Sequence, residues 1–344
     1  SVRFGLPRPK FLLQHPQGET MLTAGLRGID AAQFDGVVVV SLEEYFAPHS
    51  PVSAAALVRE LEAALGVSVD LRLLPEATAS QVDTIEKGVE ALGGDGPFVV
   101  KDSDNYVGLP AGWWREDRAA FVAYGDLAKF PAVVAANKSY VIVGALGYLQ
   151  DMVEKRVVSS SFNVGTVGFT SASQFVYARA ELELGREAFV SDVVSRLLAE
   201  GQAYQAVEVE AYEDWGDLAA WRRYCEGFAT VFCDLDGVLA HNAHPLDDSG
   251  GWESFDAIAP NVAALHDRFP GEQTRFVFAT SRAERVRPQV QAALEAAGFT
   301  GFDLLMGLPH ATRFLINDFA ATTGHPTAVA INLPRNAPTL STYL

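Results

Sequence analysis

Two aspartates, Asp234 and Asp236, stand two residues apart at the end of the apolar run in "TVFCDLDGVLAHN", residues 230–242. An ionised carboxylate can attack phosphorus, and a second acid two residues on can protonate the leaving oxygen and later deprotonate water. Gly237 lets the chain turn sharply past such a group. Alone, the pair is also what solvent-facing turn acids look like, because Asp is common in turns. Further features weigh against that reading. "FVFATSR" places the hydroxyls of Thr280 and Ser281, then Arg282, at the tip of another apolar strand. "TRFLINDF" supplies Arg313 to neutralise phosphate and Asp318, at the end of a short strand, to anchor a divalent cation. The loop "AHNAHPLDDSGGW" offers His241 and His244, either to a substrate or as solvated turn histidines.

A second set lies in the first half. "SVRFGLPRPKFLL" puts Arg3 and Lys10 around a Gly- and Pro-punctuated turn ahead of an apolar strand. Two cations so placed could meet a triphosphate or simply face solvent. "PFVVKDSDNYV" ends an apolar strand in Asp102, Asp104 and Asn105, and "YEDWGDLAAW" offers Asp214 in a tight turn before a helix. Carboxylates converging from distant segments could hold Mg²⁺ against nucleotide phosphates, or could be loop acids.

The elements that must position these residues alternate. "GVVVVSL", "VSVDLRLL", "PFVVKDS" and "SYVIVGAL" read as strands, with helices at "SAAALVRELEAALG" and "SQVDTIEKGVEALGG". Ser80 is the expected N-cap of the second helix, with Gln81 in its first turn and Gly93 as its stop. A new series starts near residue 229: strand "TVFCDLDG", helix "APNVAALHDRF", strand "RFVFATS", helix "RPQVQAALEAAG", then short strands at "FDLLMG", "RFLIND" and "AVAINL". The chain is therefore expected to be α/β in two domains, residues 1–227 and 228–344, the second a parallel sheet covered by helices. Ligands of such sheets bind beyond the carboxyl ends of the strands, where Asp234 and Asp236 emerge.

Composition narrows the partners. The chain has 344 residues, 49% hydrophobic and 20% charged, the balance of a globular protein. Its formal net charge of −17 opposes attraction to nucleic acid or anionic lipid, so a phosphorylated ligand needs local cations or bound metal. No apolar stretch reaches the ~18–20 residues of a membrane span and no signal segment is visible, which makes a cytoplasmic location the default. With only two cysteines, Cys225 and Cys233, neither a disulfide framework nor a zinc site is expected.

Residues 229 to 344 resemble the haloacid dehalogenase superfamily of aspartyl phosphotransferases, on four ordered motifs. The resemblance implies Asp234 as nucleophile, Asp236 as general acid/base, Thr280 with Ser281 beside it for phosphate, Arg313 in the place usually held by lysine, and Asp318 with Asp234 and Asp236 around Mg²⁺. Arg for Lys keeps the charge and changes the contact geometry. The spacing between Asp236 and Thr280 leaves room for a helix and a loop, which implies a capless, open site.

Residues 1 to 225 resemble sugar-1-phosphate nucleotidyltransferases of the glycosyltransferase A-like fold. "SVRF" and "RPKFLL" match the family's arginine and Pro-Lys pair at Arg3 and Lys10. Asp104 and Asn105 match its strand-end Asp-Asn, and Asp214 with Gly216 its Asp-x-Gly turn. "VEKRVVSS" matches a Glu-Lys pair at Glu154 and Lys155, "FNVGTVGF" places Asn163 at the sugar-binding position, and Gln81 falls where the base is read. The family's first strand and Gly-rich phosphate loop would come before Ser1, and an upstream segment carrying them is expected.

The expectation is a bifunctional Mg²⁺ enzyme. One half transfers a nucleotidyl group from an NTP, CTP or UTP favoured, to a sugar phosphate or similar small acceptor, and the other is a phosphatase, in the setting of surface polysaccharide or nucleotide-sugar synthesis. The alternatives are a phosphatase whose first half only holds substrate, and a phospho-ligand-binding regulator without catalysis. The acceptor, the base, the order of the reactions and the oligomeric state are not legible in these residues.

Overall fold

A computed structural model of the chain describes residues 9–46, 52–182, 186–246, 250–269, 271–317 and 328–344. The chain divides into two compact units, residues 1–222 and 223–344. It is mixed α/β. Arg3 and Asp318 lie outside the described residues.

Among the described residues the first unit begins with a 3₁₀ turn, Lys10–Leu12, where an apolar strand is expected from "FLL". Only three residues separate Pro9 from Leu13, and the Leu13 N–H closes back onto the Lys10 carbonyl at 2.9 Å. The turn serves to bury Leu12 and leave Lys10 at the surface of the site. Then follow α1 (Met21–Leu26), β1 (Gly36–Leu42), α2 (Ala54–Leu65), β2 (Ser68–Leu74), α3 (Gln81–Ala91), β3 (Phe98–Lys101) and β4 (Asn105–Gly108). The unit continues through β5 (Phe121–Asp126), β6 (Tyr140–Val143), β7 (Leu149–Val153), β8 (Ser161–Phe169), α4 (Ala172–Ala180), α5 (Val190–Ala199), β9 (Gln205–Glu208) and β10 (Ala211–Asp214). α6 (Leu218–Glu226) carries the chain across the division.

The helices start where side chains satisfy their first N–H groups. Thr20, Ser53, Ser80 and Ser171 each accept a hydrogen bond from the residue three positions on, which stabilises a helix by about 1 kcal/mol per cap. α2 ends at Gly66, which adopts φ +71.

The main sheet runs β7, β6, β8, β5, β9, with β3 paired to the C-terminal half of β8 from Phe98↔Phe169 to Lys101↔Thr166. Its pairs are antiparallel except β5 with β9. β1 and β2 form a separate parallel pair, and β4 and β10 a separate antiparallel one. Phe98, Phe169 and Phe175 pack ring to ring in the core beside Val122, Val141 and Val193. Burying one such side chain is worth roughly 1.5–3 kcal/mol.

In the second unit β11 (Ala229–Asp234), β12 (Thr274–Ala279) and β13 (Asp303–Leu305) form a parallel sheet in that order. α7 (Ala259–Arg268) and α8 (Arg287–Ala296) are the crossovers that parallel neighbours require, and each has a proline in its first turn. Phe276, Phe278 and Phe299 centre this unit's core.

The short strands expected at "RFLIND" and "AVAINL" are not seen among the described residues. The described residues of both segments carry no strand, and Phe314, Ile316 and Val329 are exposed at 84%, 92% and 76%. Their aromatic and β-branched side chains favour a strand only against a bonded neighbour, and neither segment has one among the described residues.

Candidate functional site

The first unit gathers its chemistry where β3 gives way to β4. β4 and β10 pair with Asn105 opposite Asp214, and the Trp215 N–H donates to the Asp104 carbonyl at 3.0 Å. This brings together two acids 110 residues apart in sequence. A Cβ built on Gly216 would stand 3.0 Å from Asp214 Oδ1 and 3.9 Å from Asp104 Oδ2, so both carboxylates border one space left free by glycine.

Three lysines face these acids. Lys10 pairs with Asp104 and also donates to the Gly216 carbonyl at 3.2 Å. Lys138 pairs with Asp214 at 2.8 Å and donates to the Tyr212 hydroxyl at 2.7 Å. Lys101 braces the turn between the strands, its ammonium donating to the carbonyls of Asp102 (2.7 Å) and Asn105 (3.0 Å) and to Asn105 Oδ1. Asn105 is buried, and its amide ties the turn to the Val164 carbonyl at 2.9 Å. Burial lowers the Lys101 ammonium to about 8 against the pull of Asp102 and Asp104, and lifts the Tyr212 phenol well above its ordinary value, with Asp214, Asp102 and Asp104 adding to the rise. Tyr212 is thereby held as a neutral hydroxyl beside charged neighbours.

Asp102 is locked from two sides. Its N–H donates to the Gly165 carbonyl at 2.8 Å and its carboxylate accepts from the Gln81 amide at 2.7 Å. Gly165 sits at φ +72, and a Cβ there would lie 2.1 Å from Asp102 Oδ2. Gly165→Ala is therefore expected to destabilise the first unit by about 1–3 kcal/mol, read as an earlier denaturant midpoint. An unchanged midpoint would contradict the close approach.

Burial, and then the Asp104 charge, push the Asp102 carboxyl up from 3.8 to about 6. Between those values the unfolded chain has released this proton while the fold keeps it, so the fold binds more protons and its stability falls as pH rises through the window. Without metal, the thermal midpoint of the native protein relative to Asp102→Asn should fall from pH 4 to pH 6. Parallel curves for the two proteins would refute this.

The other expected contacts divide. Asn163 Oδ1 accepts from the Gly165 N–H at 3.1 Å, on the strand that backs Asp102. Glu154 accepts from the hydroxyls of Ser139 (2.5 Å) and Ser191 (2.9 Å), while Lys155, at φ 49, lies over the Phe189 ring at 4.3 Å. Gln81, expected to read a base, engages Asp102. Lys101, Lys138 and Tyr212 are site residues that sequence reasoning missed. Only Lys101 had a signal, a cation ending the apolar run "PFVVK" directly before the acids.

The acids at Asp104 and Asp214 fit Mg²⁺. They are hard oxygen donors converging on one space, and Mg²⁺ is characteristically held by one or two carboxylates with phosphate and water completing the octahedron. Among the described residues no three or more His, Cys, Asp or Glu side chains gather as a closed cation cage.

In the second unit the register Asp234↔Ala279 sets Asp234 and Thr280 at the same end of neighbouring parallel strands. Asp234 pairs with Arg313 at 2.7 Å and accepts from the Leu235 N–H at 2.9 Å. Asp236 accepts from the Thr280 hydroxyl at 3.1 Å and from Arg282, whose Nη2 lies 2.8 Å from Oδ1. Arg282 is 1% exposed, with Nη1 held by the carbonyls of Trp252 and Ser254 at 2.9 and 2.5 Å. Sequence reasoning gave this arginine no role, although it follows Thr280 and Ser281 at the strand tip. Gly237, at φ +88, closes the turn through its N–H to the Ala240 carbonyl at 2.7 Å. His241 and His244 are exposed, and Cys233 is a core thiol that burial, with the nearby Asp234 charge, pushes up to about 12.

No family model and no curated protein matches the sequence. Solved structures do. A nucleoside-diphosphate-sugar pyrophosphorylase from Vibrio cholerae RC9 matches with a TM-score of 0.52 at 18% identity, over 64% of this chain and 93% of that one. The inositol-1-phosphate CTP transferase from T. maritima matches with 0.51 at 10%, over 64% and 86%. An apo UDP-glucose pyrophosphorylase matches with 0.51 at 15%, over 65% and 92%. About 64% of the chain thus shares the fold of nucleotide-sugar pyrophosphorylases and nucleotidyltransferases. No helix among the described residues is long and apolar enough to cross a membrane.

Proposed function

We propose that residues 1–227, the first unit together with the rest of helix α6, form a nucleotidyltransferase acting on a small phosphorylated acceptor, a sugar phosphate by preference. The observation that carries this reading is the meeting of Asp104 and Asp214 at paired strand ends, within reach of Lys10 and Lys138, on a fold shared with sugar nucleotidyltransferases. Two of the similar structures are a CTP transferase and a UDP-glucose pyrophosphorylase, which supports CTP or UTP as donor.

In the reaction, a phosphate oxygen of the acceptor attacks the nucleotide α-phosphorus, the bond from that phosphorus to the bridging oxygen breaks, and pyrophosphate leaves. Bound Mg²⁺, held by Asp104 and Asp214, would shield phosphate charge during the in-line displacement. Lys10 and Lys138 exchange their carboxylate partners for phosphate oxygens and neutralise charge there, as Arg3 does in this reading. Lys101 and Asn105 keep the turn that presents Asp104 in one geometry. Glu154, Lys155 and Asn163 are assigned to the acceptor and Gln81 to the base.

Residues 228–344 are read as a phosphatase of the aspartyl-phosphate type. Asp234 attacks the phosphorus of a phosphomonoester as Asp236 protonates the departing alcohol. Asp236 then takes a proton from water, which attacks the same phosphorus and releases phosphate from Asp234. Thr280, Ser281 and Arg313 receive phosphate oxygens, and Asp318 is assigned to Mg²⁺ together with Asp234 and Asp236. The clustering of Asp234, Asp236, Thr280 and Arg313 at one end of the parallel sheet supports this reading. Both activities suit a soluble enzyme of the cytoplasm that makes nucleotide-sugars.

The test is to mix the purified protein with Mg²⁺, each nucleoside triphosphate labelled at the α-phosphate and a panel of sugar 1-phosphates. Label should move to one acceptor from a pyrimidine nucleotide as pyrophosphate appears. No transfer with any pair would reject the transferase reading.

A further inference from the structure

The inference rests on the phosphatase reading of the second unit and deepens it by naming what its substrate carries. Among residues 228–344, Arg275, Arg282, Arg285, Arg287 and Arg313 each face a carboxylate, and Arg268 lies over the Phe269 ring. Arg335 differs. It is exposed, and no ion pair or ring contact engages it among the described residues.

Its backbone is nevertheless fixed against the turn that bears the acids. The Asn336 N–H donates to the Gly237 carbonyl at 2.9 Å, the Asn242 N–H donates to Asn336 Oδ1 at 2.8 Å, and the Ala337 N–H closes a turn onto the Pro334 carbonyl at 3.0 Å. The buried Asn261 side chain secures the same segment, donating to the carbonyls of Val238 (2.7 Å) and Ala337 (2.9 Å) and accepting from the Leu340 N–H (3.0 Å). A Cβ built on Gly237 would stand 3.0 Å from Arg335 Cγ, so glycine there leaves room for the arginine stem.

Two cations thus flank the acid pair. Arg313 is bound to Asp234, the acid that attacks, whereas Arg335 is planted on the residue following Asp236, the acid that serves the leaving oxygen. We propose that Arg335 binds a second anionic group, a phosphate or a carboxylate, on the alcohol part of the substrate. The second unit is therefore selective for doubly anionic phosphomonoesters. An exposed guanidinium in an acidic chain is suited to this, because it recognises either oxyanion through paired N–H groups.

Glucose 6-phosphate, glucose 1,6-bisphosphate and 6-phosphogluconate share a carbon skeleton and separate the cases. Wild type should turn over at least one of the two doubly anionic compounds with higher kcat/KM than glucose 6-phosphate. Arg335→Ala should reduce that preference roughly 10- to 100-fold, mainly through KM, and Arg335→Lys should restore part of it. A loss confined to the bisphosphate identifies a phosphate as the group bound, and one confined to the gluconate a carboxylate. An equal fall on all three compounds, or no fall, overturns the assignment of Arg335 while the phosphatase reading stands. Absence of turnover by wild type on these compounds and on p-nitrophenyl phosphate rejects the phosphatase reading, and the proposal falls with it.

Discussion

Asp104→Asn is expected to lower acceptor-dependent pyrophosphate release by about 10²–10³-fold, with phosphate release from phosphomonoesters retained. The substitution keeps the shape and one oxygen of the side chain but removes a negative charge from the pair facing the space beside Gly216. Mg²⁺ binds an uncharged amide oxygen more weakly than a carboxylate, so the loss should be partly offset at high Mg²⁺. Asp104→Asn also removes the charge that Lys10 pairs with, and the lysine ammonium does not replace the metal cation between the two acids. Asp214→Asn should behave alike, because Asp214 holds the other side of the same space and pairs with Lys138. An Asp104→Asn protein with native circular dichroism and wild-type pyrophosphate release would remove the acid pair from the mechanism.

Asp234→Asn is expected to abolish phosphate release, a fall on the order of 10⁴-fold or more, while nucleotidyl transfer continues. An amide has no anionic oxygen with which to form the phosphoaspartate, so the two-step route is closed. The fold should persist, since Asp234 is half-exposed at its strand end and the contacts of its carboxylate, to the Leu235 N–H and Arg313, lie at the surface of the sheet's end. Incubating wild type with ³²P-labelled phosphomonoester and quenching in acid should trap label on the protein, and Asp234→Asn should trap none. Equal phosphate release by the two proteins would assign the chemistry elsewhere.

Much of the arrangement was legible because it follows from local rules. A β-branched run that ends in acids is a strand delivering carboxylates to its tip, and this alone anticipates Asp104 and Asp234. Ser80 and Gly93 bracket α3 as their chemistry requires. What escaped the sequence depends on partners far along the chain. Lys101 becomes a brace only because β3 lies against β8 and the next turn folds its oxygens onto the ammonium. Lys138, in "AANKSY", belongs to no periodic pattern, and its meeting with Asp214 and Tyr212 spans some 75 residues. Arg282 is buried by carbonyls 28 and 30 residues upstream. The strands expected at "RFLIND" and "AVAINL" differ for the opposite reason, since the side-chain preference is present and, among the described residues, a bonded neighbour is not.

The central claim is that one chain carries two independent phosphorus chemistries, each centred on its own pair of aspartates. Its most direct test follows pyrophosphate and inorganic phosphate separately in wild type, Asp104→Asn and Asp234→Asn, supplied with Mg²⁺, CTP or UTP, a sugar 1-phosphate and a hexose bisphosphate. The account predicts a crossed result: Asp104→Asn loses pyrophosphate release alone and Asp234→Asn loses phosphate release alone. Loss of both products by either substitution in a folded protein, or of neither, would contradict it.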